Sequence, residues 1–381
     1  MSRIWILPLA LLLGGCPGGE RGTEGVPEAV REQLRAGVNI SHWFDHRDDP
    51  GHDPMRHEPS ADELTRLRTA GLRHVRLTVN PAPLLENAVS QTLRHGAVQE
   101  VRSAIRTIQK AGLMTVLVIQ PREGSKARLS ERPELREGFA RFWSGLAGAL
   151  ADIPPEALVF ELLNEPETEE PGPSRAMYVA VVDAVREVAP RHTLVVSGHR
   201  WSSVEDLEAL RPLDDDNIVY GFHFYDPHNF THQGAGWGWP MWRKLAGLPY
   251  PSSPEAVQRA LEILPEEARP HARQYGQERW NRQRLAAKLN RAQAWAARHG
   301  VPVWCSEFGV YRYNVHERFR QAWLRDVREL LVARGIGWTV WNFSGHFGLL
   351  GGRQGNRRLD AGDWYALGLD PSPFLNDSPP P

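Results

Sequence analysis

Strand-length apolar runs alternate with amphipathic segments along most of the chain. The runs are nearly continuous in Val, Ile and Leu, which is typical of strands in a parallel sheet that helices cover on both faces. Eight such runs occur, at residues 37–41, 74–79, 114–120, 159–165, 193–198, 218–225, 301–309 and 337–344. Helices are predicted at residues 61–70, 98–111, 133–150, 174–189, 282–299 and 314–334. This alternation predicts an α/β fold, a (β/α)8 TIM barrel, as one domain over residues 31–370.

The ends of several predicted helices carry recognisable capping residues. Asn314 with Glu317 predicts a capping box that opens the last helix. Glycine follows four of the helices and precedes the next strand in each case, at Gly71, Gly112, Gly300 and Gly335. These signals support the boundaries between helices and strands.

One connection, residues 226–280, is much longer than the others and is rich in Pro, Gly and Trp. It follows the sixth strand, on the face where barrels of this type carry their sites, and is predicted to form a cleft wall or a lid. A surface insertion without function is the alternative. Trp237, Trp239 and Trp242 within it are either a stacking platform for sugar rings or a hydrophobic cluster that folds the loop on itself.

The N-terminus has the pattern of an export signal. Arg3 precedes an apolar run at 4–13 that is too short to span a bilayer. Leu13-Gly14-Gly15-Cys16 then resembles a bacterial lipobox, which predicts lipidation of Cys16; an ordinary signal peptide is the alternative. Residues 17–30 are predicted to be a flexible tether. The protein is thus expected outside the bacterial cytoplasm, lipid-anchored or secreted.

Composition narrows the partners. The 381 residues are 41% hydrophobic and 24% charged with a formal net charge of −1, so neither nucleic acid nor an anionic membrane surface is an expected partner. The membrane is expected to be contacted through the lipid anchor alone. With Cys16 lipidated, Cys305 has no partner for a disulfide and is predicted to be a buried core residue. A monomer with a disordered tail at 371–381 is expected.

Two glutamates occupy the C-terminal tips of predicted strands. Glu165 ends the fourth strand in Asn164-Glu165-Pro166, and Glu307 ends the seventh in Ser306-Glu307-Phe308-Gly309. Packing does not explain a carboxylate at either place, and barrel enzymes carry their catalytic groups there. Paired carboxylates are what glycosidic bond cleavage requires. Glu161, two pleats below Glu165, is predicted to be a buried charge paired with a barrel arginine.

Together these tips resemble glycoside hydrolase family 5, the cellulase family of clan A, over about residues 37–347. The similar motifs are His74-Val75-Arg76-Leu77, Phe222-His223-Phe224-Tyr225, Trp338-Thr339-Val340-Trp341-Asn342 and the opening segment from Gly37 to Phe44, besides the two glutamate motifs. The resemblance implies a retaining mechanism without a cofactor, with Glu165 as acid/base and Glu307 as nucleophile.

The resemblance also implies supporting roles. Asn164 would bind the sugar 2-hydroxyl, Arg76 would support the nucleophile, and Trp341 would stack under the sugar. His223 and Tyr225 match the family's His-x-Tyr after the sixth strand. Two further residues are expected to line the cleft, His42 and Trp43.

Electrostatics predict opposite pKa shifts for the two glutamates. Arg76 near Glu307 would favour its ionised form. Tyr225 could donate a hydrogen bond to the same carboxylate. Glu165 must be protonated near the working pH, so its pKa is expected to be raised by a drier environment.

Two features leave alternatives open. Gln120 stands at the tip of the third strand, where the family often has a His, so the geometry of the sugar subsites is not determined. The segment after the first strand carries several His and Asp residues, but their spacing matches no metal site, and no metal is expected; the residues are His42, Asp45, His46, Asp48, Asp49, His52, Asp53 and His57.

The predicted function is retaining hydrolysis of a β-linked polysaccharide or oligosaccharide, in the manner of an endo-β-1,4-glucanase. A β-mannanase and a glycolipid-cleaving glycosidase of the same family are alternatives that use the same residues. A non-catalytic carbohydrate receptor on the same barrel is the rival from another class, and a metal-dependent barrel hydrolase is a third.

Overall fold

The computed structural model describes residues 25–45, 52–87, 89–122 and 124–375. The predicted signal peptide with Cys16 therefore lies outside the described residues, as do His46, Asp48 and Asp49. The barrel strands are β1 Ala36–Phe44, β2 His74–Val79, β3 Met114–Ile119, β4 Leu158–Glu161, β5 Leu194–Ser197, β6 Ile218–Phe224, β7 Val303–Phe308 and β8 Gly337–Val340.

Helices follow the strands around the barrel. In chain order the α-helices of the described residues are α1 Glu28–Gln33, α2 Pro54–His57, α3 Ala61–Thr69, α4 His95–Lys110, α5 Lys126–Glu131, α6 Pro133–Leu150, α7 Pro171–Val188, α8 Val204–Ala209, α9 His228–Thr231, α10 Gln258–Ile263, α11 Arg269–Glu278, α12 Arg282–His299, α13 Glu317–Val332, α14 Ala361–Ala366 and α15 Ser372–Leu375. Two small hairpins, Leu85–Asn87 with Thr92–Leu93 and Leu350–Arg353 with Asn356–Leu359, lie outside the barrel.

The eight strands form a closed parallel barrel in sequence order, and β1 pairs with β8 to close it. Every strand predicted from the apolar runs is present, so the predicted fold class is confirmed. The strands are almost entirely buried, since helices cover them outside and side chains fill them inside. This closure brings the C-terminal tips of all strands to one end.

One helix start was predicted incorrectly. Helix α13 has His316, not Asn314, as its N-cap, and the His316 side chain accepts a hydrogen bond from the Arg318 amide. The Asn314 side chain instead donates to the carbonyl of Leu245 at 3.4 Å. A tertiary contact with the long connection thus replaces the local capping box.

The bottom of the barrel is closed by helix α1. Val30 is fully buried against inward-facing barrel residues, a cluster that includes Val116, Val159 and Trp304. Residues 25–30, the described part of the predicted tether, therefore belong to the folded domain, because apolar Val26 and Val30 cover the open end of the core.

Part of the predicted disordered tail, residues 371–375, is folded. Within it, Ser372–Leu375 forms helix α15, and Phe374 is buried with its ring 5.1 Å from that of Trp364. Residues 376–381 lie outside the described residues. The apolar Phe374 ties residues 371–375 to the barrel.

The long connection after β6 is a compact layer rather than an open loop. It contains α9, α10 and α11 and has its own buried aromatic residues, Phe230, Tyr250 and Tyr275. The Tyr275 hydroxyl donates to the carbonyl of Pro249 at 2.6 Å. Across the residues that the structure describes, no helix is long and apolar enough to cross a bilayer.

Candidate active site

Glu165 and Glu307 face each other over the C-terminal end of the barrel. Glu307 lies in β7, and Glu165 follows β4 by four residues with a left-handed φ of 45°. A carboxylate oxygen of each and a ring nitrogen of His223 all lie within 4.8 Å of one another. Glu307 is buried, whereas about a quarter of the Glu165 side chain is exposed to solvent. Both carboxylates can therefore reach one bond of a molecule in the cleft.

Arg76 organises the floor of the site from β2. Its Nη1 donates to Glu307 Oε1 at 2.6 Å and to Asn39 Oδ1 at 2.8 Å. Its Nη2 donates to Asn164 Oδ1 at 2.6 Å. Nε and Nη2 also form a bidentate pair with Glu161, at 2.6 and 2.8 Å. All five guanidinium N–H groups are thus used, which holds the carboxylate of Glu307 in one orientation.

Glu161 is a structural charge, as predicted. Its side chain is fully buried and pairs with Arg76, so it compensates a cation that would otherwise lie in the core with Glu307 alone. Burial by itself lowers the pKa of Arg76, but the charges of Glu161 and Glu307 outweigh it and raise that pKa.

His223 and Tyr225 come from β6 and its end and contact the two glutamates. Nδ1 of His223 lies 2.9 Å from Glu165 Oε1 and 3.5 Å from Glu307 Oε2. The Tyr225 hydroxyl donates to Glu307 Oε2 at 2.8 Å. Glu307 thus accepts a hydrogen bond on each oxygen, and both bonds stabilise its negative charge.

The pKa of Glu165 departs from the expected direction. Burial raises it, but the hydrogen bond and charge of His223 and the charge of Lys126 outweigh burial and lower the pKa to about 2. The expectation of a raised pKa is wrong for the free site, because the sequence could not place His223 Nδ1 against this carboxylate. Burial raises the pKa of Glu307, assisted by the charge of Glu165 and opposed by His223 and Arg76.

Three further residues that the sequence assigned to the site, Asn164, Trp341 and Gln120, follow strands β4, β8 and β3. Asn164 accepts from Arg76 through its oxygen, so its amide N–H₂ is left to donate, and it lies 3.4 Å from Glu165 Oε2. Trp341 follows β8, half-buried, and its backbone N–H donates to the carbonyl of Phe308 at 2.8 Å, next to Glu307. Gln120 is half-buried after β3, and its Oε1 has no hydrogen-bond partner.

The side chains of His42 and Trp43, which are adjacent in the sequence, lie in different environments. His42 is half-buried, contacts Ser41 Oγ at 2.7 Å, and stacks on His57 with ring centroids 4.6 Å apart. Trp43 is buried in the hydrophobic core and borders a surface pocket with Glu100 and Ala104 of helix α4. The expectation that Trp43 lines the cleft is wrong, because the register of β1 shifts between Ile40 and Phe44, and this irregularity breaks the alternation that places Asn39 inside the barrel.

Two residues of the site were not assigned from the sequence. Asn39 on β1 holds Arg76 and donates to the carbonyl of Ser306 at 3.1 Å, which fixes β7 beside it. Lys126, at the start of α5, is buried 3.4 Å from Glu167 and adds to the positive potential at Glu165. In the sequence, Asn39 could have been recognised because it is a polar residue within an apolar strand. Nothing in the sequence around Lys126 indicated a place in the site.

Among the described residues, the only group of His, Cys, Asp or Glu that converges closely enough for a metal is Glu165, His223 and Glu307. Each is already engaged: Glu307 by Arg76 and Tyr225, and His223 by Glu165. The arrangement suits proton transfer and nucleophilic attack by side chains. An ion at this place would compete with these hydrogen bonds.

A (β/α)8 barrel with facing glutamates at the C-terminal ends of strands four and seven defines the class of barrel glycoside hydrolases. The chain belongs to glycosyl hydrolase family 5, since the cellulase model of that family matches residues 40–347.

Curated relatives agree with the family. Endoglucanase 3 of Fibrobacter succinogenes is 25% identical over 372 residues, which cover 91% of this chain and 54% of that protein. Endoglucanase C of Acetivibrio thermocellus is 26% identical over 319 residues, covering 81% of this chain and 91% of that protein. The chain thus spans about half the length of the first relative and nearly all of the second.

Solved structures agree with the fold. Thermotoga maritima Cel5A in complex with cellobiose has a TM-score of 0.73 at 22% identity, covering 89% of this chain and 98% of that chain. The same protein in complex with mannotriose has a TM-score of 0.71 at 21% identity, covering 90% and 100%. At this identity the likeness shows the barrel fold.

Proposed function

We propose that this chain is a retaining endo-acting β-glucanase in which Glu165 is the acid/base and Glu307 the nucleophile. The observation that carries the proposal is the convergence of the two glutamates, since a carboxylate oxygen of Glu165 lies within 4.8 Å of one of Glu307. Retaining enzymes hold their carboxyl groups about 5–5.5 Å apart, whereas inverting ones need about 6.5–9.5 Å.

The chemistry has two steps. In the first, a Glu307 oxygen attacks the anomeric carbon while Glu165 gives its proton to the leaving oxygen, so the glycosidic bond breaks and an ester to Glu307 forms. In the second, water attacks the same carbon and gives its proton to Glu165, and the ester breaks to free Glu307. As the ester breaks, Glu307 becomes negatively charged again, and Tyr225 and Arg76 stabilise this charge through hydrogen bonds already in place.

The first step requires a proton on Glu165, whose Oε1 lies 2.9 Å from Nδ1 of His223. In the free site this contact keeps Glu165 in its carboxylate form. A sugar in the cleft excludes water from the exposed edge of Glu165, which favours the neutral carboxyl and draws the proton onto it. Substrate binding thus favours the protonated form of Glu165, which acts as the general acid.

The substrate class rests on the relatives. The two curated relatives are endoglucanases, and a structural neighbour binds cellobiose, which supports a β-1,4-glucan. The complex of the same neighbour with mannotriose supports β-mannan as the second candidate. Both chains present equatorial β-1,4 linkages that the same carboxylate pair would cleave.

The test is hydrolysis by the body from residue 25 onward, measured as reducing-sugar release from β-glucans, mannans, xylans and a glycolipid. We expect activity on β-glucan that falls at least 10³-fold in Glu307→Gln, and a first-formed product of β configuration by proton NMR. Near-full activity of Glu307→Gln, or an α product, would overturn the assignment.

Two rivals have distinct outcomes. Binding of a polysaccharide without hydrolysis of any substrate would indicate a carbohydrate receptor. Loss of hydrolysis in EDTA, restored by a divalent cation, would indicate metal-dependent chemistry at Glu165, His223 and Glu307. We expect full activity in EDTA, because Arg76 and Tyr225 already stabilise the nucleophile.

We further propose that the enzyme acts outside the cytoplasm, held to a membrane by a lipid on Cys16. The N-terminal pattern of Arg3, the apolar run 4–13 and the lipobox-like Gly14-Gly15-Cys16 supports this. Helix α1, Glu28–Gln33, already belongs to the folded domain, so the proposed lipid site at Cys16 precedes the barrel closely in sequence.

A further inference from the structure

A group of aromatic rings lies at the rim of the cleft, beyond the nucleophile. It consists of Trp237 from the connection after β6, Tyr311 and Tyr313 from the connection after β7, and His346 from the connection after β8. We call these four residues the rim patch. Three separate connections contribute to it, so the tertiary fold and not a local sequence motif brings them together.

The rim patch is continuous with the catalytic residues. Trp237 contacts Phe347 with ring centroids 6.1 Å apart, and Phe347 contacts Tyr225 at the same distance. Tyr225 in turn donates to Glu307. A chain that is cleaved between the glutamates can therefore extend over Trp237.

Trp237, Tyr313 and His346 of the rim patch are exposed, whereas Tyr311, which contacts the other three rings, is buried. Trp237 is 44% and Tyr313 is 64% exposed, whereas Tyr311 between them is only 9% exposed. The Tyr311 ring lies 5.4 Å from Trp237 and 5.6 Å from Tyr313. His346 lies nearly parallel to Trp237, at 6.4 Å and 28°. Exposed apolar rings held by buried ones are pre-organised for binding rather than left over from packing.

Backbone hydrogen bonds fix the three connections to one another. The amide of Tyr311 donates to Thr231 at 2.8 Å, and that of Arg312 donates to His346 at 3.0 Å. The amide of Gly234 donates to Trp242 at 2.7 Å and closes the turn that presents Trp237. These hydrogen bonds therefore hold the connections that bear the four rings in fixed positions relative to one another.

We infer that the rim patch is a sugar subsite, in which the exposed faces of Trp237 and Tyr313 stack on pyranose rings of the substrate chain remote from the cleaved bond. The flat C–H faces of β-linked pyranoses match exposed aromatic faces in size and polarity. The inference rests on the proposed function, since it takes the ligand to be the same polysaccharide. The subsite gives the enzyme a preference for long chains.

The test compares substrates of different length in Trp237→Ala and Tyr313→Ala. We expect kcat/KM on cellohexaose to fall about tenfold in Trp237→Ala and less in Tyr313→Ala, while kcat/KM on an aryl β-cellobioside stays within about twofold. Mannohexaose and an aryl β-mannobioside replace these probes if the enzyme proves to be a mannanase. Equal losses on long and short substrates, or no loss on either, would overturn the inference.

Trp239→Ala is the matched control. Trp239 belongs to the same connection and is 41% exposed, but its ring packs on His271 of α11 at 4.8 Å, away from the rim patch. We expect its length preference to equal that of the wild type. A loss in Trp239→Ala as large as that in Trp237→Ala would indicate general loosening of the connection and would contradict the subsite.

Binding separates this inference from the proposed chemistry. In a Glu307→Gln background, calorimetric titration with cellohexaose and mannohexaose reports the subsite without turnover. We expect Trp237→Ala to weaken the tighter of the two about tenfold. If the wild type hydrolyses nothing, the proposed function fails while this measurement still tests the subsite; unchanged binding in Trp237→Ala would overturn the subsite alone.

Discussion

Arg76 shows how one buried side chain can hold a catalytic site together. It lies inside the barrel with no exposed surface and is bound to two carboxylates and two asparagines. Burying a guanidinium is costly unless every N–H is paired, and here each is. The same network that stabilises the cation therefore orients Glu307, the proposed nucleophile.

Removing this cation should affect stability as well as activity. In Arg76→Met, Glu161 and Glu307 would remain buried without a partner, so we expect a loss of about 3–5 kcal/mol in the free energy of unfolding. Urea unfolding followed by circular dichroism measures it. Arg31→Met is the control: Arg31 pairs with Glu28 on the surface, and its loss should cost below about 1 kcal/mol. Equal costs for the two variants would argue against the network.

The lowered pKa of Glu165 predicts a dependence of stability on acid pH. Its folded pKa of about 2 lies below the ordinary value of 4.5, so unfolding takes up a proton between these values. The stabilisation is fully present above about pH 4.5 and is lost as the pH falls toward 2. We expect the difference in unfolding free energy between wild type and Glu165→Gln to shrink over this window.

Urea unfolding at several pH values between 2 and 6 checks this expectation. Glu28→Gln serves as a surface control whose difference from wild type should stay nearly constant. A wild-type advantage over Glu165→Gln that grows as the pH falls would show that burial, and not His223, dominates this carboxyl.

At the scale of elements, buried apolar side chains attach the first and last described helices to the barrel. Val30 in α1 covers the bottom of the barrel, and Phe374 in α15 packs on Trp364. Both lie in segments whose composition is otherwise typical of tethers and tails. Buried apolar residues therefore bring both segments into the fold.

The closing role of α1 can be measured. We expect Val30→Ala to destabilise the domain by about 1–3 kcal/mol, because the side chain is fully buried and its loss leaves a cavity beside Val116 and Val159. Thermal unfolding of the body from residue 25 reports the change. Glu28→Ala in the same helix should change it little, and a null result for Val30→Ala would show that α1 is dispensable.

At the scale of the whole molecule, the fold and the N-terminal segment have separate tasks. The barrel carries the site, and no membrane-spanning helix occurs in the part of the chain that the structure describes. The proposed attachment to a membrane rests instead on the lipobox-like pattern that ends at Cys16.

Substitution of this cysteine tests the attachment. In a bacterial host that processes lipoproteins, we expect the full-length chain to sediment with membranes and Cys16→Ala to be released into the soluble fraction. Incorporation of radiolabelled palmitate into the wild type should disappear in the variant. Cys305→Ala is the control, since Cys305 is buried in the barrel and should leave both readouts unchanged. Membrane attachment that persists in Cys16→Ala would contradict the lipid anchor.

By itself, the sequence determined the architecture and the identity of the central pair. Eight strands buried on both faces leave a strong apolar signal, and Glu165 and Glu307 stand at strand tips, where polar residues follow apolar ones. The pairing of Glu161 with a barrel arginine followed from strand alternation, which turns Glu161 inward, and from the cost of burying a charge without a partner. These features depend on local order along the chain, which the sequence contains directly.

Only the tertiary structure decided which groups touch. The contact of His223 with Glu165, which reverses the expected pKa shift, joins residues 58 positions apart. The side of β1 that Trp43 occupies, the replacement of Asn314 by His316 as a cap, and the assembly of the rim patch are of the same kind. Each depends on distances between segments remote in sequence, and the burial and charge that those distances create are properties of the folded chain.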